Sequence, residues 1–229
     1  GQLGDAWTTQ RTSPTQMSAV TGAVAVAGGG SHSLVLLSDG TVKAAGRNTF
    51  GALGDGSTTQ RTSPVSVGTL TGVSAIAAGT YHSYALKTDG RAYGWGYNLN
   101  GQIGDATTST RTSPTQITAL SGISLIAAGS YGGIAVSSTG VVYTWGDNAG
   151  SQLGDGTSTS RSTPGAISDP NYVWKVGTPT LNVSAGTYTT EKTVSVSVAT
   201  PSATVHYTLS GDTPTEADPT GATGGTVLI

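Results

Sequence analysis

Three histidines, twelve acidic side chains and ten Lys or Arg supply the acid–base and metal chemistry of this 229-residue chain, and there is no cysteine. His32 and His82 stand fifty residues apart, so an imidazole pair acting as metal ligands or as a general base is the first chemistry to weigh. Asp5, Asp55, Asp105 and Asp155 form a second set, each followed six residues later by Arg11, Arg61, Arg111 or Arg161. Paired carboxylates cleave glycosides only when they flank one bond at close range. A calcium site needs six or more oxygens, whereas these Gly-Asp loops offer a few each and no Asp-x-Asp-x-Asp string occurs. A Gly-x-Ser-x-Gly string with an accompanying acid and His is also missing, and Gly28-Gly29-Gly30 precedes an apolar strand pattern where a phosphate loop would open a helix.

The elements that must position these groups follow from a strict repeat. Gly1-Gln2-Leu3-Gly4-Asp5 returns at 51–55, 101–105 and 151–155, and Arg11-Thr12-Ser13-Pro14 returns at 61–64, 111–114 and 161–164. Within each unit the apolar residues alternate as in strands and never mark a helical face. In the first unit, short strands are expected over 24–27, 31–37 and 42–46. An Asp39-Gly40 hairpin turn joins the last two, and a long loop, 48–64, leads to an edge strand at 65–67. The same four segments are expected at 74–77, 81–87, 91–96 and 115–118, and at 124–127, 131–137, 141–146 and 165–168. Four short antiparallel strands every fifty residues describe an all-β chain built of propeller blades.

That geometry bears on the candidates. Equivalent positions on successive blades are rotated about an axis, so His32 and His82 need not converge, and the third unit carries Gly132 there. Both are expected to be hydrogen-bonded framework residues. The four Asp are expected to accept backbone N–H bonds in their turns, with the four Arg pairing to them or to nearby carbonyls. Trp95 and Trp145 fall on third strands, where alternation predicts burial between blades; as ligand platforms they would have to be exposed. No catalytic residue, metal site or cofactor is expected.

Ala78-Gly79-Thr80-Tyr81-His82-Ser83, the Asp89-Gly90 turn, Tyr93-Gly94-Trp95-Gly96-Tyr97-Asn98 and Gly101-Gln102-Ile103-Gly104-Asp105 together resemble the regulator of chromosome condensation repeat, over residues 1 to about 168. The resemblance implies a seven-bladed propeller. Two departures are Ala45 for the Trp at 95 and 145, and Gly132 for the His at 32 and 82. Three units plus a lone fourth-strand segment, 15–19, cannot close such a ring, so these residues are expected to belong to a longer chain or to assemble with other copies.

The pattern changes after Pro170. Residues 1–170 are read as propeller repeats, 171–176 as a linker and 177–229 as a small immunoglobulin-like sandwich. Its strands are expected at Thr193–Val198 and Thr204–Leu209, with His206 at the surface. Tyr207-Thr208-Leu209-Ser210-Gly211-Asp212-Thr213-Pro214-Thr215 is similar to the chitobiase and hexosaminidase C-terminal domain, a non-catalytic module, and this resemblance implies a large secreted bacterial protein.

A formal net charge of −2 and no basic run argue against a nucleic-acid surface, and no apolar run approaches the length of a membrane-spanning helix. Binding residues are expected where the repeat varies while its framework does not: Arg47, Tyr97 and Asp147 in one slot, Thr49, Leu99 and Ala149 in a second, and Ser31, Tyr81 and Tyr131 in a third. The function expected is a non-enzymatic extracellular bacterial adhesion, scaffold or filament protein, with a protein partner or self-assembly. A carbohydrate-binding accessory region of a larger glycosidase and an inhibitor or regulator of a partner protein are the alternatives.

Overall fold

The computed structural model describes residues 1–167 without interruption and, beyond them, five short strands. The chain divides into two compact units, Gly1–Ser168 and Asp169–Ile229. No helix occurs among the described residues, so none is long and apolar enough to cross a membrane.

The first unit holds three antiparallel sheets, each four strands in plain sequence order, as blades of a propeller. Blade 1 comprises β1 (Ala23–Gly28), β2 (His32–Leu37), β3 (Val42–Gly46) and β4 (Arg61–Ser66). Blade 2 comprises β5 (Val73–Ala78), β6 (His82–Lys87), β7 (Ala92–Gly96) and β8 (Arg111–Gln116), and blade 3 comprises β9 (Ile123–Ala128), β10 (Gly132–Ser137), β11 (Val142–Gly146) and β12 (Arg161–Ala166). The register repeats with the sequence: His32 lies opposite Gly46, His82 opposite Gly96 and Gly132 opposite Gly146. At the hairpin between β2 and β3, Asp39 Oδ1 accepts the Thr41 N–H at 2.9 Å and Gly40 takes φ 77°, the left-handed conformation such a turn requires.

Two strand expectations need correction. The fourth strands begin at the Arg, four residues before the expected start at 65, because Gly46 pairs with Arg61 and Ala44 with Val65. Residues 62–64 therefore bulge opposite one residue of β3, which accommodates Pro64, a residue with no N–H to give the ladder. Residues 15–19 form no strand, since no described strand precedes Ala23 to offer them an edge.

Apolar side chains fill the two junctions between blades. Leu34, Leu53, Val67, Val73 and Trp95 pack between blades 1 and 2, and Tyr84, Leu86, Ile117, Ile123 and Trp145 between blades 2 and 3. Alternation along the first strands decides which junction each residue enters. Ala25 and Ala27 join the first core; their counterparts on β5, Ala75 and Ala77, join the second. The outward faces of the end blades are open, as at Val26 (76% exposed) on β1 and Leu125 (65%) on β9.

In the second unit β14 (Thr193–Ser197) lies between β13 (Thr180–Leu181) and β17 (Thr226–Leu228), and β15 (Thr204–His206) pairs with β16 (Thr220–Ala222), all antiparallel. Of the two expected strands, 193–197 and 204–206 are described as strand, each paired with another strand of the unit; the remainder of both lies outside the described residues. The linker 171–176, the sandwich as a whole and the exposure of His206 lie outside the described residues.

Candidate functional site

The loop between the third and fourth strands of blades 1 and 2 clasps the next blade. Gly51 lies against the backbone of Arg111 and Thr112, with no room for a Cβ, and Gly56 N–H donates to Thr112 O at 3.0 Å. Gly101 lies likewise against Arg161 and Ser162, and Gly1 against Arg61 and Thr62. At the second residue of the motif, the carbonyl of Ala52 accepts Trp95 Nε1–H at 2.8 Å and that of Gln102 accepts Trp145 Nε1–H at 2.9 Å. Both indoles are fully buried, which leaves no face for a ligand.

Within each loop, Asp and Arg lock the turn. Arg11 Nε reaches Asp5 Oδ2 at 2.7 Å, and Arg111 Nε reaches Asp105 Oδ2 at 2.7 Å; Arg61 and Asp55 approach to 2.8 Å. The fourth pair is looser, with Arg161 and Asp155 at 3.5 Å and Arg161 Nη2 donating to Thr144 O and Gly165 O. The Arg11 hydrogen bond holds the Asp5 carboxyl below its ordinary pKa. At Asp55 and Asp105 burial pushes the other way, but the hydroxyls of Ser57 and Thr107 together with Arg61 and Arg111 outweigh it and the net shift is downward. The hydroxyl of Thr157 lowers Asp155.

A third framework residue escaped the sequence reading. Asn48, Asn98 and Asn148 are buried, and each makes one amide the hub of its loop. Asn48 Nδ2 donates to Asp55 Oδ1, Ser57 O and Thr59 O at 3.0–3.1 Å, while its Oδ1 accepts Leu53 N–H at 2.9 Å. Asn98 and Asn148 repeat the arrangement. Their recurrence every fifty residues was the available signal.

The two histidines do not converge. Ser83 Oγ–H donates to Ala52 O, so His32 Nε2–H must be the donor to Ser83 Oγ at 2.9 Å. His82 Nε2–H donates to Gly132 O at 3.2 Å, and its buried Nδ1 has no hydrogen-bond partner among the described residues. Burial drives both imidazoles down to about 4, so both are neutral near pH 7. No group of three or more His, Asp or Glu that could hold a metal occurs among the described residues.

The variable slots gather at one end of the blades, where each first strand turns into the second and the third strand leaves. Backbone bonds join the slots within every blade: Arg47 N–H to Ser31 O, Tyr97 N–H to Tyr81 O and Asp147 N–H to Tyr131 O, each at 2.9 Å. The clasping loop adds a slot the sequence reading passed over, at Phe50, Asn100 and Gly150. Phe50 stands 5.4 Å from Tyr81 and 4.9 Å from Tyr97, centroid to centroid, closing a half-buried trio of rings. At the next junction the equivalent contact is polar: Asn100 Nδ2 donates to Asp147 Oδ1 at 3.3 Å, and Gln152 Nε2 to Asp147 Oδ2 at 2.7 Å. Exposed Arg47 donates from Nε to Thr49 Oγ1 at 3.0 Å. Leu99, Ala149 and Tyr131 are exposed, and Leu99 and Ala149 take no part in the ring cluster. A cavity of about 400 Å³, lined by Tyr131, Ile134, Asp147 and Gln152 among others, lies beside the third blade.

Prp20p from Saccharomyces cerevisiae, a protein with described binding properties to Gsp1p and histones, has a similar fold. Its TM-score is 0.58 at 24% identity, over 66% of this chain and 39% of that one. Human WBSCR16 gives a TM-score of 0.65 at 21% identity, over 86% of this chain and 52% of that one. The chain thus spans about half or less of the length of these structures. No curated protein matches it. The regulator of chromosome condensation (RCC1) repeat matches residues 23–52, 73–102 and 123–152 in one phasing and 39–86, 89–136 and 139–190 in another. The last match runs past the point near residue 168 where the sequence reading ended the repeats. With more than half its length so matched, the chain belongs to the regulator of chromosome condensation (RCC1) repeat family.

Proposed function

We propose that the chain is a non-enzymatic binding protein that engages other proteins through the variable end of its blades. We further propose that it works outside a bacterial cell in adhesion or as a scaffold or filament component. One observation carries the reading: the Asn, Asp and clasp geometry is the same at both junctions, while the side chains displayed above it change from Phe50 and Tyr97 to Asn100 and Asp147. Positions free to change on a rigid frame are where recognition is built. The binding of Gsp1p and histones by Prp20p, which shares the fold, supports a protein partner. The sparse charge and the abundance of Ser and Thr support the extracellular assignment.

The carbohydrate-binding alternative draws support from the resemblance of residues 177–229 alone. The ring trio does not favour it: its three half-buried rings cross one another at 58–72° and form no coplanar platform.

The test is interferometry of the full chain against extracellular-matrix proteins and intact host-cell surfaces, with light scattering for self-assembly. Binding is expected, and the combined variant R47A/F50A/Y97A/D147A should abolish it while the chain remains folded, as judged by a cooperative unfolding transition. Silence on every protein surface together with a monomer in solution would sink the proposal, and binding confined to a glycan array would replace it.

A further inference from the structure

Blade by blade, the variable end changes its chemistry in one direction. Blade 1 presents the exposed guanidinium of Arg47. The junction of blades 1 and 2 presents Phe50, Tyr81 and Tyr97 with ring centroids 4.9–6.4 Å apart. Blade 3 presents the carboxylate of Asp147, oriented by Gln152 at 2.7 Å, Asn100 at 3.3 Å and Ser160 at 3.4 Å.

The two charges differ from the framework charges. Asp5, Asp55, Asp105 and Asp155 each hold an arginine, whereas neither Arg47 nor Asp147 has an oppositely charged partner among the described residues. Among the described residues their side-chain hydrogen-bond partners are neutral: Thr49 for Arg47, and Gln152, Asn100 and Ser160 for Asp147. Neutral hydrogen-bond partners, an acceptor for Arg47 and donors for Asp147, fix a charged group in place without cancelling its charge. Both groups therefore keep an open electrostatic demand while their positions are set. Between them the rings bring large, conformationally stiff apolar area, the usual material of an interface anchor point. The Gly-rich turns 28–30, 78–80 and 128–130 run alongside, joined by Gly30 N–H to Gly79 O and Thr80 N–H to Ser130 O, and form a shallow cavity of about 240 Å³ with little side-chain bulk in the way.

We propose that this end binds an extended protein segment carrying an acidic side chain, an apolar anchor and a basic side chain, in that order from blade 1 to blade 3. The inference rests on the protein-binding reading above and gives it a partner chemistry. Cation, rings and anion on the blades match acid, anchor and base on the segment. A nucleic acid, with one sign of charge throughout, would meet repulsion at Asp147.

The experiment is selection of displayed peptides on the full chain, followed by fluorescence anisotropy of the enriched peptides with wild type and with R47E, D147K and F50A. Unfolding midpoints are measured to confirm that each variant is folded. Wild type is expected to enrich peptides with one acidic and one basic side chain flanking an aromatic or aliphatic residue. R47E should shift selection toward peptides with two basic groups, and D147K toward two acidic groups. F50A should weaken binding at least tenfold with the charge preference retained. Enriched peptides indifferent to all three changes would overturn this site but leave the protein-binding reading standing. A chain that holds a folded partner yet enriches no peptide would overturn the extended-segment proposal. A doubled molar mass lost in R47E would show a second copy of the chain to be the occupant and overturn it as well.

Discussion

The junction between blades 1 and 2 and the junction between blades 2 and 3 perform one task with different donors. In each, a buried carbonyl on the clasping loop must be satisfied, Ala52 O in the first and Gln102 O in the second. At Ala52 O the donors are Trp95 Nε1 and Ser83 Oγ, both from the following blade. Blade 3 has Gly133 where blade 2 has Ser83, and the missing hydroxyl is supplied from the other side: Tyr84 of blade 2 donates to Gln102 O, beside Trp145 Nε1. Tyr84 and Gly133 are linked by space too, since a Cβ at 133 would come within 2.3 Å of the Trp145 ring and 2.7 Å of the Tyr84 oxygen. The repeat thus preserves the acceptor and allows the donor to move.

A similar exchange explains Ala45. Gly54 and Gly104 lie against the indoles of Trp95 and Trp145, but Gly4 lies against Met17 and Ala45. Met17 occupies the repeat position held by Val67 and Ile117, and its longer side chain takes up space that the absent Trp would fill.

If the two junctions are equivalent in energy despite their different donors, truncating either indole should cost the same. Trp95→Ala and Trp145→Ala are each expected to lower stability by about 4 kcal/mol in urea unfolding. A difference above about 2 kcal/mol, the full width of the range such substitutions show, would reveal that one junction dominates.

Acid should weaken both junctions. A buried neutral His binds fewer protons than its unfolded counterpart between the ordinary value of 6.5 and the folded value of about 4, so stability falls as pH drops through that window. The expected loss approaches about 3 kcal/mol per imidazole near pH 4. Below 3.8 the lowered carboxyls of Asp5, Asp55, Asp105 and Asp155 add to it as they are protonated. Urea midpoints of wild type, His32→Gln and His82→Gln at pH 7 and pH 4.5 check this. Each variant should flatten the dependence, and an unchanged slope would mean that imidazole is already solvated.

Gly133→Ser should cost about 2 kcal/mol by overpacking. Converting Tyr84→Leu in the same chain copies the Leu34 and Ser83 pairing of the first junction and should recover at least half of that loss. A double variant no better than the sum of the singles would show that the donor exchange is not coupled. The smallest effect concerns the clasp turns, where Ala6 and Ala106 take φ 71° and 65° while Gly56 and Gly156 hold the equivalent places. Ala106→Gly should raise stability by about 1 kcal/mol, read as a higher unfolding midpoint.

Much of this was written in the period. The second and third strands, the Asp-Gly turns and the coupling of Asp to Arg follow from alternation and spacing, because they are local. The fourth strand was misplaced because Pro64 reads as a boundary, whereas the ladder tolerates it inside a bulge set by the Gly46 and Arg61 pairing. Asn48, Asn98 and Asn148 recur as faithfully as the aspartates, yet an amide gives no hint of charge chemistry and its burial is visible only once the loop closes over it. Phe50 was passed over because its partners Tyr81 and Tyr97 come from the next unit.

What the sequence determined by itself is the unit: four strands, a hairpin turn, a locked loop, repeated every fifty residues, since these rest on contacts between residues close in the chain. What the tertiary structure decided is everything between units. The loop of one blade clasps the next, a tyrosine replaces a serine across a junction, and three slots far apart in sequence become one face running from cation to rings to anion. Residues fifty apart meet only when blades stack, and stacking is fixed by packing, hydrogen-bond satisfaction and excluded volume, none of which a linear pattern displays.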